Sequence, residues 1–522
     1  MLKKYYDFIL LLIAGSIAIF AFSPFNQHFI IVLTVCLLLY VLSNLNAATN
    51  NWRALLLGYT FGMTYFNTQL YWIYYSVHYI IEAKVIVAII AQLGFTLFLS
   101  SYIAGAMFLF YKLKTKSEFF NLALLFPSIW VVFDWWRGWF LGGFSWCDIG
   151  YSVVDLAFFR GVFPVLGEYG VTWCVISIIA TLYYLINSHI QRNNKCGSSG
   201  KTLSNNDSRI AIIYLLVICF GISIIQPIIY THIYGKPVKI ALLQGNIPAN
   251  TKWIDESNLG IYADMIKKAK ADIIIMPETS IPKFAGDLPE GYLQHIITTA
   301  KSKGSDLIVG MPKALDDDDE VYVNAAILLT SPHEPYYAKY HLVPYGEYIP
   351  AKWLLGPLYN YVSLPMVDFS RGTLNQKPLV AANQKLAFNI CYENGFNGEL
   401  TKSARDATIM ANLSDMVWYG KTIAMYQHLQ LSQARAIENQ RYFIQDTNTS
   451  ITAVINPKGQ IQSQLPVFTR GTLTDYIDGR FGETPFEIYG NWLIISLCFL
   501  LLLPSIHYLK WPFFFKNKIK EI

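Results

Sequence analysis

The chain has 522 residues, of which 54% are hydrophobic and only 14% are charged. Soluble domains carry about 25% charged residues, so the composition excludes a purely soluble protein and indicates an integral membrane protein with a water-facing part. The formal net charge of +5 does not indicate nucleic-acid binding, because no stripe of Arg and Lys with interleaved aromatic residues occurs.

Apolar runs of about 20 residues predict membrane-spanning helices. Such runs cover residues 6–21, 29–45, 54–75, 85–111, 122–136, 170–186, 210–230 and 492–508. The sequence therefore predicts a polytopic α-helical membrane domain of eight spans. Seven of them lie within residues 1–235, and the eighth lies with a cytoplasmic tail in residues 488–522.

The basic residues of the short loops predict the orientation, because cytoplasmic loops carry an excess of Lys and Arg. With the N-terminus in the cytoplasm, the outer short loops carry only Lys84, Arg137 and Arg160, and the inner segments carry the rest. Seven crossings then place residues 236–487 on the outer side of the membrane. The eighth crossing returns the C-terminus to the cytoplasm.

One predicted outer loop is rich in tryptophan, with four of these residues between positions 134 and 146. Tryptophans at this level are typical interface anchors. The alternative is a mouth for lipid, with Arg137 near a phosphate group. Arg137 could also pair with Asp134, three residues earlier on the same helix.

Residues 236–487 have the composition of a soluble domain and alternate strand and helix patterns. Strands are predicted at 238–244, 272–276, 306–310, 324–330, 386–390, 407–412, 442–446 and 451–456, with the segment 336–345 following the fourth of them in the same series. Helices are predicted at 256–270, 292–303 and 426–440. This alternation predicts an α/β layered domain with reactive groups at strand ends.

Cys391 is the only cysteine of this domain, and it follows the apolar run 386–390 directly. It is either a small buried hydrophobic residue or a thiolate nucleophile held at a strand end. A nucleophile needs a base and a group that stabilises an oxyanion. No histidine forms a convincing pair with it in the sequence, although His341 and His428 flank the candidate segments and could support the site.

Three charged residues could supply these functions. Glu278 follows an apolar strand and is either a residue of a helix start or a buried carboxylate base. Lys339 lies among aromatic residues, where it could snorkel or hold an ammonium for an oxyanion. Glu347 follows in a turn-rich segment.

The order of Glu278, Lys339 and Cys391 resembles that of the nitrilase (carbon–nitrogen hydrolase) superfamily, whose domain is an αββα sandwich. The flanking sequences resemble one membrane branch, the apolipoprotein N-acyltransferase family. The resemblance lies in residues 136–146, 244–253, 276–279, 339–347, 391–393 and 490–492, and in a domain inserted between the seventh and eighth spans.

The resemblance implies acyl transfer through a thioester. Cys391 would attack the sn-1 ester of a phospholipid, typically phosphatidylethanolamine, with Glu278 as base and Lys339 as oxyanion stabiliser. The α-amino group of the N-terminal S-diacylglyceryl cysteine of an apolipoprotein would then take the acyl chain, in the last step of lipoprotein maturation. The resemblance assigns substrate binding or support to Trp253, Glu347, Tyr392 and Glu393, to which Trp418 and Arg137 are added. No cofactor, metal or nucleic acid is expected, and the chain is expected to be a monomer.

Two positions depart from the family. Asp415 and Met416 stand where an amide and an acid are expected, and Ser450 stands where Gly is usual. Two other functions remain open at this point. One is a membrane-tethered nitrilase-type amidase that hydrolyses an amide or ester, and the other is a transporter or receptor with an outer binding domain. The scarcity of charge inside the predicted spans argues against an ion-coupled transporter.

The aromatic-rich segment 353–366 is the last feature with two interpretations. It is either a set of loops that rest on lipid or a folded apolar subdomain.

Overall fold

The computed structural model describes residues 2–45, 50–194, 205–316, 321–344, 346–348, 353 and 368–506. Apolar helices form the N-terminal part and the C-terminal end of this described chain, and a domain with two β-sheets lies between them.

The helices of the N-terminal part follow the apolar runs of the sequence. They are α1 (Leu2–Ile17), α2 (Phe29–Asn44), α3 (Asn51–Gln69), α4 (Val85–Leu113), α5 (Phe126–Arg137), α6 (Phe163–Asn194) and α7 (Asn205–Ile225). Two short helical segments, Glu118–Phe120 and Asn121–Leu125, precede helix α5 directly. Together the three form one continuous helix, Glu118–Arg137.

Among the described residues, four helices are long and apolar enough to cross a membrane: Val85–Leu113, Glu118–Arg137, Phe163–Asn193 and Asn206–Ile225. Three more are apolar but shorter: Tyr5–Ala21, Phe29–Asn44 and Trp492–Ile506. The expectation of several apolar helices is thus confirmed, whereas the full count of eight spans is not.

The third predicted run, 54–75, is wrong in its C-terminal part. Helix α3 ends at Gln69, Leu70 leaves the helical conformation, and a separate short helix Trp72–Tyr75 follows. The reason is tertiary, because Trp72 donates a hydrogen bond of 3.1 Å from its indole N–H to Gln427 of the two-sheet domain. The short helix therefore packs on that domain.

The two-sheet domain has twelve strands within the described residues. They are β1 (His232–Gln244), β2 (Ile273–Ile275), β3 (Asp306–Ala314), β4 (Tyr322–Leu328), β5 (Tyr336–Ala338), β6 (Leu379–Ala381), β7 (Gln384–Ile390), β8 (Ile409–Ser414), β9 (Phe443–Thr447), β10 (Ala453–Ile455), β11 (Ile461–Gln464) and β12 (Gly471–Phe481). The first sheet has the order β12-β1-β2-β3-β4-β5, and the second has the order β11-β10-β9-β8-β7-β6. Strands β1, β2 and β3 are parallel, as are β7, β8 and β9.

Four layers result from the alternation of side chains along each strand. In β1, Ile240 and Leu242 face the second sheet, whereas Ala241 and Leu243 face the helices α8 (Ser257–Lys268) and α9 (Tyr292–Lys301). The second sheet is covered in the same way by α10 (Asn397–Arg405) and α11 (Ala424–Asn439). The predicted αββα sandwich is confirmed.

The sequence did not predict three strands and one helix, namely β6, β11, β12 and α10. Strand β11 is largely exposed, and β12 alternates buried residues with exposed Thr and half-buried Asp. Such strands carry no apolar run, so their place in the sheet is decided by pairing with β10 and β1.

Helix α11 joins the two parts of the molecule. Leu431, Ala434 and Ile437 pack in the same apolar cluster as the N-terminal helices. Glu438, on the same helix, accepts a hydrogen bond of 3.0 Å from the main-chain N–H of Glu168 in α6. The N-terminal half of α11 lies beside Cys391, through His428. This helix therefore links the membrane helices to the site.

Candidate active site

The three residues predicted to carry the chemistry all lie just beyond strand ends. Cys391 follows β7 directly, Lys339 follows β5 directly, and Glu278 lies three residues after β2. Cys391 has a φ of +53°, a left-handed conformation that non-glycine residues rarely adopt. Such strain persists where surrounding contacts fix it, and it is common at functional sites.

Glu278 is buried, and three donors hold its carboxylate. Oε1 accepts from Asn324 Nδ2 at 2.8 Å and from Lys339 Nζ at 3.3 Å. Oε2 accepts from the main-chain N–H of Asp415 at 2.8 Å. The carboxylate is therefore fixed from both sheets.

Lys339 is enclosed between two carboxylates, with only 1% of its side chain exposed. Its Nζ lies 2.9 Å from Glu347 Oε1 and 3.3 Å from Glu278 Oε1. Burial by itself lowers the pKa of Lys339, but the two carboxylates outweigh burial and hold the pKa well above its ordinary value. The side chain stays an ammonium, and two of its three protons are engaged by these acids.

The thiol of Cys391 is buried beside this charged group. Burial and the negative charge of Glu278 raise the pKa of Cys391 well above its ordinary value, against the opposing effect of Lys339. The resting thiol is therefore protonated, and the Glu278 carboxylate lies near enough to raise its pKa. If this thiol acts as a nucleophile, its proton must be removed during the attack, and Glu278 is a neighbouring carboxylate that can accept it.

Glu393 ties the loop after β5 to the end of β7. Its carboxylate accepts from the main-chain N–H groups of Ile390 at 2.6 Å, Tyr340 at 2.7 Å and His341 at 2.9 Å, and from the Tyr337 hydroxyl at 3.0 Å. Burial raises its pKa to about 7, although these main-chain donors oppose the rise. Glu393 thus sets the position of the loop after β5, which carries Lys339 and is called the lysine loop below, relative to Cys391.

The predicted support residues lie in three places. Glu347 and Tyr392 are part of the site itself, because Glu347 bonds to Lys339 and Tyr392 adjoins Cys391. Trp253 is half-buried, with Lys252 Nζ 5.6 Å from its ring centroid. Trp418 is half-buried in the turn Met416–Tyr419 after β8.

Arg137 is the one predicted residue whose suggested contact needs correction. Its buried guanidinium donates to the carbonyl oxygens of Phe144 at 2.5 Å and Trp146 at 3.0 Å, and it pairs with Asp134 at 3.1 Å and with Asp148. Because the group is enclosed by these acceptors, it does not present itself to a lipid phosphate. The alternative pairing with Asp134 is the one observed.

Sequence reasoning missed two asparagines of the site. Asn324 donates to both Glu278 and Glu347, the latter at 3.1 Å. Asn412 donates to the carbonyl oxygen of Cys391 at 3.2 Å. In the sequence, each of them is an amide inside a mostly apolar strand. That pattern indicates a functional contact, because a buried polar side chain needs hydrogen-bond partners.

His428 also contacts Cys391. Its Nε2 lies 3.3 Å from the carbonyl oxygen of Cys391, which fits a neutral ring that donates this bond. Burial lowers the pKa of His428 to about 4. It therefore supports the main chain and is not a base for the thiol.

Aromatic rings from both parts of the molecule form an apolar wall beside Cys391. Trp72 lies 5.7 Å from Trp146 and 4.7 Å from Tyr419, measured between ring centroids. Trp146 in turn lies 6.3 Å from Tyr392 and 6.0 Å from His428. A hydrocarbon chain can pack against such a wall.

The segment 353–366, expected to rest on lipid or to form an apolar subdomain, lies outside the described residues except for Trp353, which is 84% exposed. Within the described part of the chain, no group of three or more His, Cys, Asp or Glu side chains could hold a metal ion.

Two family models match the chain. The apolipoprotein N-acyltransferase N-terminal domain matches residues 14–181, and the carbon-nitrogen hydrolase domain matches residues 239–486. The second match contains Glu278, Lys339 and Cys391.

Similar proteins align over nearly the whole chain. The apolipoprotein N-acyltransferase of Chromobacterium violaceum is 35% identical over 495 residues, which cover 94% of this chain and 92% of that protein. That of Nitrosomonas europaea is 33% identical, with 96% and 97% covered. That of Neisseria meningitidis serogroup B is 38% identical, with 88% of each chain covered.

Proposed function

Because the chain belongs to the apolipoprotein N-acyltransferase family, we propose that it moves an acyl chain from the sn-1 position of a phospholipid to the N-terminal S-diacylglyceryl cysteine of apolipoproteins. One observation carries the proposal. A protonated thiol, a neighbouring carboxylate and an enclosed ammonium meet beside an aromatic wall to which the N-terminal part of the chain contributes.

The first half-reaction acylates the enzyme. Glu278 takes the thiol proton as Cys391 Sγ attacks the ester carbonyl, and the ammonium of Lys339 stabilises the oxyanion that forms. The intermediate expels the glycerol oxygen, which receives the proton from Glu278. A thioester remains on Cys391, and a lysophospholipid leaves.

The second half-reaction transfers the chain. The neutral α-amino group of the lipoprotein attacks the thioester, and Glu278 takes one of its protons. Collapse of the intermediate expels the Cys391 thiolate, which recovers that proton from Glu278. The products are an amide and the resting thiol, so the cycle is ping-pong.

The remaining site residues support these steps. Glu347 and Glu393 hold the lysine loop, and Tyr392 holds the junction with the membrane helices. Trp253 and Trp418 lie on loops beside the base and are assigned to substrate contacts. Arg137 acts indirectly, through the loop that it braces.

The arrangement in the membrane completes the proposal. Residues 1–235 contribute seven spans, 236–487 form the periplasmic catalytic domain, and 488–522 supply an eighth span and a cytoplasmic tail. Support comes from the helix at each of the eight apolar runs and from the basic inner loops. The chain works as a monomer in the inner membrane, with phosphatidylethanolamine as donor.

Mass spectrometry of the purified full-length enzyme in phosphatidylethanolamine vesicles tests the function. We expect an acyl thioester on Cys391 that a diacylglyceryl-cysteine peptide discharges with formation of the N-acyl peptide. The variant C391S should carry no thioester. A thioester that water discharges as fast without the peptide would contradict acyl transfer and favour the amidase.

A further inference from the structure

A second charged pair lies beneath the candidate base. Lys252 ends the short helix Ala249–Lys252, and Asp415 follows β8. Their side chains form an ion pair, with 3% and 4% of the two side chains exposed. Two charges lose their hydration when they are buried this deeply, so the pair is stable only in a well-fixed geometry.

Both partners also bond to Glu278, at opposite ends of that residue. Asp415 donates its main-chain N–H to Glu278 Oε2 at 2.8 Å. Lys252 Nζ lies 3.4 Å from the main-chain carbonyl oxygen of Glu278 and 2.7 Å from Thr279 Oγ1. The carboxylate and the main chain of Glu278 are therefore both tied to one ion pair.

The turn held by Lys252 is strained. Thr279 has a φ of +45°, in the left-handed region that β-branched residues avoid. Such a conformation persists where its surroundings fix it. The bonds from Lys252 to the Glu278 carbonyl and to Thr279 Oγ1 act at this turn, which sets the direction in which the Glu278 side chain leaves the main chain.

Asp415 is fixed in turn from the neighbouring strand. Its Oδ1 accepts from Asn448 Nδ2 at 3.3 Å. Asn448 is itself clamped, because its side chain accepts from the N–H of Ile247 at 2.9 Å and donates to the carbonyl of Ile247 at 2.8 Å. Asp415 is one of the two adjacent departures from the family pattern, and a carboxylate neutralises Lys252 where an amide would not.

We propose that Lys252 and Asp415 are positioning residues for acyl transfer, and that their ion pair holds Glu278 where it accepts the proton of Cys391. The inference rests on the proposed function, because that function makes Glu278 the base. In this assignment both side chains act through Glu278 and make no contact with the acyl donor. The pair therefore controls the rate of the chemical step and leaves lipid binding unchanged.

Steady-state and single-turnover kinetics of the full-length enzyme in phosphatidylethanolamine vesicles test this assignment. A base displaced by on the order of 1 Å costs on the order of a hundredfold in rate, so we expect K252M and D415N each to lower kcat by about that factor with an unchanged KM for the phospholipid. K252R keeps the charge and should retain more activity than K252M.

The double variant K252M/D415N distinguishes loss of the positioning of Glu278 from the effect of leaving one unpaired charge buried. It leaves no unpaired charge, and the main-chain N–H at position 415 can still donate to Glu278. Because the two residues act as a unit, its kcat should fall by about tenfold, far less than the product of the two single losses.

A matched control exists nearby. Lys283 and Glu256 form an ion pair of 2.5 Å whose side chains are 27% and 59% exposed. Exposed pairs contribute little, so K283M should keep kcat within about twofold of the parent.

Three results would overturn the inference: K252M and D415N within about twofold of the parent, a raised KM with kcat unchanged, or a double variant with parental kcat. Where a single variant does not fold, the double variant and K252R decide, since neither leaves a lone buried charge. Absence of any thioester on the parent enzyme would instead refute the proposed function.

Discussion

Tyr392 donates a hydrogen bond of 2.6 Å from its hydroxyl to the main-chain carbonyl of Gly143. The preceding carbonyl, of Gly142, lies 2.6 Å from Nε2 of His341. Two consecutive carbonyls of a loop from the N-terminal part are thus held by the residue after Cys391 and by a residue of the loop that carries Lys339. The geometry of the site depends on how the two parts of the molecule are joined.

The variant Y392F tests this junction. It keeps the ring beside Trp146 but removes the donor, which leaves a carbonyl without its partner at a cost of about 1–3 kcal/mol. We expect thioester formation in vesicles to slow by about tenfold or more, since about 1.4 kcal/mol corresponds to a factor of ten. Y489F, at an exposed tyrosine, is the control and should behave as the parent. An unimpaired Y392F would show that the bond does not matter for catalysis.

Removal of the ammonium should be more severe. K339A loses the oxyanion partner, which typically costs on the order of a hundredfold or more, and it leaves Glu278 and Glu347 as neighbouring acids. We expect the single-turnover rate of acylation to drop by at least that factor. E278Q should nearly abolish acylation, because an amide cannot take the thiol proton. Acylation of K339A at the parental rate would refute its assigned role.

Glu393 predicts a pH dependence of stability. Burial raises its pKa to about 7 in the folded protein, above the ordinary value of 4.5, so the folded state holds this proton longer than the unfolded state. The contribution of this proton to the free energy of unfolding is complete below the ordinary pKa and is lost as the pH rises through about 7. The free energy of unfolding then changes by at most about 1.4 kcal/mol per pH unit.

Chemical denaturation of the detergent-solubilised enzyme between about pH 4.5 and 8 measures that slope. E393Q cannot ionise, so its unfolding free energy should fall less steeply over this range than that of the parent. E290Q, at an exposed acid, is the control and should keep the parental slope. Equal slopes for E393Q and the parent would contradict the assignment.

Arg137 should prove structural. R137A leaves Asp134 and Asp148 as buried acids without their cation, and breaking a buried pair costs about 3–5 kcal/mol. We expect the yield of folded protein in detergent to fall strongly, as size-exclusion chromatography measures. K84A, in an exposed loop, is the control. A well-folded R137A with a raised KM for phospholipid would restore the phosphate contact that the sequence suggested.

The sequence alone determined the features that depend on near neighbours. Apolar runs predicted where the long helices lie, and period and turn residues predicted most strands of the sandwich. Glu278, Lys339 and Cys391 were found because each is a reactive side chain directly after an apolar or aromatic run. Strands β11 and β12 were not predicted, because pairing with neighbouring strands, and not local composition, forms them.

Only the tertiary structure decided which side chains meet. Asn324 joins Glu278 to Glu347, Lys252 finds Asp415 across 163 positions, and Tyr392 reaches Gly143 across 249. A buried polar group must find partners wherever the packed layers supply them, and that supply depends on how sheets and membrane helices pack. The local pattern therefore predicted the identity of the proposed reacting groups, and the packing of distant segments determined their charges and positions.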